Sequence, residues 1–151
     1  MRELLRTDGG WSACILRVVL GIVFFAHGAA LTLGWFGGST FGQTIAGFGK
    51  MGLPAPIAAL VILAQFLGGI GLLVGFLTRV AAIGIAAVMT GAIFIAHIHV
   101  GFFMNWYGQQ KGEGFEFHLL AIAIAVALII VGGGNLSCDK FLSEHNTPAS
   151  I

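Results

Sequence analysis

A chain of 151 residues suffices for one domain, and this one is 58% hydrophobic, only 9% charged, and carries a net charge of +1. A soluble globule draws about a quarter of its residues from Asp, Glu, Lys and Arg, so this composition cannot coat a water-facing surface and the expected solvent is lipid. The balance of charge offers no basic patch for a nucleic-acid backbone, and two cysteines, Cys14 and Cys138, with no C-x-x-C, are too few for a disulfide framework and read as small apolar fillers.

The chain opens with "MRELLR" and an apolar run from about Ser12 to Leu33. A signal peptide is one reading, with "AHGAA" as a cleavage site. The run is longer than a signal core and is interrupted by Arg17, which favours a retained first helix. In the link from Gly34 to Ala55, Phe41, Ile45 and Phe48 recur at helical spacing and predict a short helix in the interface plane. "GLPAP" then starts a second crossing, about Pro56 to Leu77, with Pro56 suited to a first helical turn. Gly68, Gly69, Gly71 and Gly75 lie inside it, and Gly71 and Gly75 form a G-x-x-x-G spacing that predicts close helix packing.

The "LTRV" link around Thr78 and Arg79 is so short that the second and third segments must form a hairpin. The third segment runs from Val80 to about Val100. The fourth runs from about Phe117 to Val131, and is extended by Phe115 and Gly132–Gly133 to an expected span of 115–133. Each approaches the roughly 20 helical residues that cross a bilayer. Alternation is absent, so strands are not expected. The fold class predicted is all-α: a polytopic four-helix membrane bundle in a single domain, 1–151, with a flexible tail over 142–151.

With four crossings, the N-terminus, the Thr78–Arg79 turn and the C-terminus share one side, which holds Arg2, Arg6, Arg79 and Lys140, whereas Lys50 and Lys111 lie opposite. Basic residues stay cytoplasmic, so both termini are expected there. His27, His97, His99 and His118 then collect at the outer face, and Glu116 lies beside His118. His145, in the tail, is expected to be idle.

Ionisable groups within a membrane are costly and point to function. Interfacial histidines bonded to backbone or headgroups are the plain alternative for each ring taken singly. His97 and His99 are about 200° apart on a helix, and converge only if the helix ends near His97, where Gly101 is placed to help. Imidazoles with a carboxylate suit zinc, copper or iron, yet there is no H-x-x-x-H pair and no E-x-x-H, so no metal ligand set is assigned. The aromatic surround of Phe94, Phe102, Phe103, Trp106 and Phe117 suits a quinone better, since histidine can donate to its carbonyl or carry a proton. Arg17, about 15 Å along the first helix from His27, either snorkels or points inward. Inside, Gln65 is the nearest partner in sequence depth, and a ligand's anion or carbonyl would fill the gap.

Arg17, "FFAHGAA", "GLPAP", "AQFLGGIGLLVGFLTRVAA", "MTGAIFIAHIHVGFF" and "GGGNLSCDKFL" occur in that order. Together they resemble the DoxX family of small four-helix membrane proteins over nearly the whole chain. The resemblance rests most on Arg17, His27–Gly28, the G-G-x-x-L-L-x-G-x-x-T-R stretch ending at Arg79, and His97. It implies a prokaryotic inner-membrane protein and raises the prospect of quinone-linked redox chemistry related to thiosulfate or thiols. A glutamate common in the family is Gln65 here, so an internal Arg–Glu pair would be lost. The reading is a redox-associated membrane subunit that holds a quinone or similar molecule. His27, His97 and His118 are its catalytic candidates, and Arg17, Gln65, His99, Trp106 and Glu116 its binding candidates. No flavin or haem motif is present, so a partner redox protein is expected to bring electrons; a homo-oligomer is also open. The alternatives are a non-catalytic scaffold or small-solute binder, and a metal-dependent membrane enzyme.

Overall fold

The computed structural model describes residues 5–8 and 10–145. Among these there are six α-helices and no strands: α1 (Trp11–Thr32), α2 (Phe41–Lys50), α3 (Ala55–Val74), α4 (Thr78–Ala92), α5 (Glu116–Val131) and α6 (Cys138–His145). A π-helical turn, Ile93–His97, prolongs α4. α1, α3 and α4 with its π turn have 22, 20 and 20 residues and are long and apolar enough to cross a membrane; α5, with 16 residues, is a shorter apolar helix. Helices of 20 to 22 residues span about 30 Å, the thickness of a hydrocarbon core.

The four long helices pack in a ring, α1 on α3, α3 on α4, α4 on α5, and α5 back on α1. Leu20, Phe24, Leu72, Ile85 and Leu128 fill the centre. The outer faces stay apolar: Leu67 and Leu120 are 57% and 66% exposed, as a lipid-facing surface requires. α1 and α3 approach most closely where Gly28 faces Phe66 and Gly69 faces Phe25; a Cβ at either glycine would collide with backbone. Close approach through small residues is the way helices gain packing energy in lipid. The contact falls on Gly69, whereas the G-x-x-x-G pair lies at the hairpin, where Gly75 is the left-handed cap that ends α3.

That hairpin is held from outside. Phe76 N–H donates to the Gly71 carbonyl, which closes the last turn of α3. Leu77 adopts φ 50°, unusual for a β-substituted residue, and starts α4. The Asp139 carboxylate of α6 accepts the N–H groups of Leu77 and Thr78, both at 2.8 Å. It thereby caps the free donors at the start of α4 from a different element. The tail expected to be flexible from residue 142 is helical as far as His145, whose ring packs on Phe141. Residues 146–151 and Arg2 lie outside the described residues.

α2 appears where Phe41, Ile45 and Phe48 placed it. Thr40 and Gln43 form its capping box, and Thr44 Oγ1 donates to the Leu31 carbonyl, tying it to the end of α1. The N-terminal segment, the hairpin turn and the chain after α5 meet at one end: Arg79 donates to the carbonyls of Arg6 and Ile130, and Asp8 N–H to that of Val131.

Candidate functional site

At the end opposite the hairpin the helices part around a cavity of about 750 Å³. Its wall is mostly aliphatic and aromatic. The polar exceptions are His27 from α1, Gln65 from α3, His97 from the π turn, Glu113 from the loop before α5, and His118 from α5. Three separate helices thus bring three imidazoles to one space. The His97 and His118 rings lie 4.2 Å apart, centre to centre, and His27 packs 6.4 Å from Phe24 and 6.2 Å from Phe117.

The π turn matters to this arrangement. Its i→i−5 bond, Ile98 N–H to the Ile93 carbonyl at 2.7 Å, inserts an extra residue into the turn and shifts the direction in which His97 projects. His97 Nδ1 lies 2.8 Å from the Glu113 carbonyl oxygen. A carbonyl only accepts, so Nδ1 carries the proton, and in the neutral ring Nε2 is an acceptor. His118 is buried, 6% exposed, and its Nδ1 has no hydrogen-bond partner among the described residues. A buried polar atom left unmatched costs free energy and marks a place where a further group would be stabilised. Gln65 makes only a long bond, 3.5 Å, to the Val61 carbonyl one turn back.

Four of the expected binding residues are elsewhere. Arg17 is 1% exposed and far from the cavity. It donates to the carbonyls of Leu72 and Leu73 at the end of α3, and to those of Gly133, Asn135 and Leu136 after α5. Its charge is met by the carbonyls that a helix C-terminus leaves free, so it needs neither Gln65 nor a ligand. Gln65 is seven residues before Leu72, about 10 Å away along α3. His99 is exposed. The helix does end near His97, but residues 98–100 keep a helical sense, with Val100 N–H bonding back to the His97 carbonyl, so His99 turns away. Glu116 accepts the Met104 N–H and the Trp106 Nε1–H, at 2.9 and 3.0 Å; the two residues clamp the loop between α4 and α5 and do not line the cavity.

Glu113 escaped the sequence reading. Its backbone sets the His97 tautomer, while its carboxylate accepts the Asn105 N–H at 2.8 Å. The signal was faint, one acid in a polar loop. Among the described residues no three His, Cys, Asp or Glu side chains are grouped as a metal ion would require.

Long apolar helices around a cavity with imidazoles at one end define a multi-pass membrane protein. The chain belongs to the DoxX family, whose model matches residues 12–98. It is 30% identical over 137 residues, 91% of each chain, to a Bacillus subtilis (strain 168) protein named "Putative oxidoreductase CatD". It is 28% identical over 130 residues, 86% of this chain and 91% of the relative, to inner membrane protein YqjF of Escherichia coli (strain K12). No solved structure matches. The protein is a multi-pass protein of the prokaryotic inner membrane.

Proposed function

We propose that this protein is the membrane subunit of a quinone-linked redox complex and that the cavity beside His27, Gln65, His97 and His118 receives the quinone ring. The observation that carries the reading is the unpartnered Nδ1 of buried His118, on the wall of a cavity of about 750 Å³ that is mostly apolar. Sites for small organic molecules have this character: a concave apolar wall with a few convergent polar groups. The name of the Bacillus subtilis relative, an oxidoreductase, agrees with it.

The residues fit such a group. A quinone supplies reversible two-electron, two-proton chemistry when bound. Phe24 and Phe117 flank the imidazoles and suit a flat ring. Gln65 offers an amide donor, and His97 an acceptor at Nε2 while Nδ1 is held by Glu113. His118 can take or give a proton at Nδ1. Electrons come from a partner redox protein. In this reading α5 is a fourth crossing, 16 residues that suit a thin or tilted passage. Both termini are cytoplasmic, since Arg6, Arg79 and Lys140 lie at the hairpin end.

The test is titration of the purified protein in lipid nanodiscs with ubiquinone-2, read by tryptophan quenching and by mass spectrometry of co-purified quinone. Saturable binding, weakened at least tenfold by His118→Phe or His97→Ala, supports the reading. Undiminished binding in both variants, or none in the parent, would falsify it and favour a scaffold.

A further inference from the structure

We propose that the cavity opens sideways into the bilayer between α3 and α4, and that this gap holds the hydrocarbon tail of the ligand whose ring lies at His118; the inference rests on the ligand reading above. The bound molecule is thus a membrane-dissolved amphiphile that enters from the lipid, tail trailing, rather than a water-soluble quinone.

The hairpin dictates the gap. α3 and α4 start together at the Gly75–Thr78 turn, and there they touch: a Cβ on Gly71 would lie 3.6 Å from Ala81, one on Gly68 3.6 Å from Ile85, and one on Gly84 3.6 Å from Ala64. Two turns further along α4 the contact is gone. A Cβ on Gly91 would meet nothing within 4 Å. The helices have splayed, and Ile57, Leu60 and Val61 of α3 line the cavity opposite Ala87 and Gly91 of α4 and Ile95 of the π turn. On the α4 side, small residues keep the passage wide.

The gap is continuous with the polar end. The same cavity runs from these aliphatic walls to Gln65, His97 and His118. Ile57 and Leu60, which line the gap, are 48% and 62% exposed, so the groove is open along α3. The Phe48 and Met51 side chains, from α2 and the residue after it, also border the cavity. The unpartnered Nδ1 of His118 is the independent sign that a molecule with a hydrogen-bonding head belongs at the inner end. A hydrogen-bonding head joined to an apolar strip several turns long is the outline of a tailed ring, and not of a compact solute.

Gly91→Leu tests this, because the added side chain enters open space and raises helix propensity, so the protein should fold. Binding of ubiquinone-2, which carries an isoprenoid tail, and of tailless ubiquinone-0 is measured in nanodiscs for the parent and the variant. Comparing the two proteins at the same ligand cancels membrane partitioning. The expected result is a loss of tenfold or more for ubiquinone-2 and less than twofold for ubiquinone-0. A ubiquinone analogue bearing a diazirine on its tail should cross-link to Leu60, Ala87 or Ile95. If the tailless compound binds and Gly91→Leu leaves both affinities alike, the lateral groove is wrong while the ring site stands. If neither compound binds the parent, both ideas fall together.

Discussion

At the hairpin end, Arg17 and Asp139 are each 1% exposed, and each is hydrogen-bonded to backbone. Five backbone carbonyls accept from the guanidinium, and two backbone N–H groups donate to the carboxylate. At the cavity end, His118 is almost as deeply buried yet leaves Nδ1 unmatched. Both regions place polar side chains among apolar helices, and the charged groups at the hairpin end cost far more to desolvate than a neutral imidazole. The difference is in what they face. Arg17 faces helix ends and loop backbone, which come with free acceptors. His118 faces another ring and a space. Burial of a charge in a membrane protein therefore does not by itself mark function; an unsatisfied group beside a cavity is the better guide. The Thr78 hydroxyl, buried without a partner among the described residues beside Gly133, is the exception at the hairpin end, and it does not line the cavity.

The sharpest way to break this comparison is Arg17→Met. It strands the carbonyls at the ends of α3 and α5 and should cost about 3 to 5 kcal/mol, seen as a large fall in Tm in detergent, while any protein that still folds keeps its quinone affinity. A variant as stable as the parent, but unable to bind, would return Arg17 to the ligand site. Arg17→Lys should fall between, since an ammonium keeps the charge and loses the planar fork.

Asp139→Ala comes next. It frees the N–H groups of Leu77 and Thr78 and leaves the left-handed Leu77 unsupported, for an expected loss of about 2 to 3 kcal/mol. Hydrogen exchange should rise first at the start of α4. An unchanged exchange pattern there would mean that the cap is not what holds the hairpin.

The smallest effect on stability, and the most telling, is expected from His118→Phe. Replacing an unmatched buried imidazole with a ring of similar size should change Tm little or raise it by less than about 1 kcal/mol equivalent, although quinone affinity falls. A marked loss of stability would show that His118 holds the helices together, as Arg17 does.

Much of this was legible in advance. The four apolar segments, the tight link at Thr78–Arg79 and the helix at Phe41–Lys50 follow from residue types and spacing, because hydropathy and local geometry act within a few turns of chain. The grouping of His27, His97 and His118 at one end followed from counting residues along successive segments. What spacing could not reveal was direction. The π turn decides that His97 faces His118, and the continuing turn after it decides that His99 does not. Glu116 and Trp106 looked like site residues because their types suit one, yet they complete each other across the loop.

By itself, then, the sequence determined the solvent, the helices and the end at which the histidines gather, since each depends on composition and rise per residue. Only the tertiary structure decided the partners: Arg17 is matched by carbonyls from residues 55 to 119 positions away, and His118 Nδ1 is matched by none among the described residues. Satisfaction of a buried polar group depends on distances of about 3 Å between atoms far apart in the chain, and those distances exist only once the helices have packed.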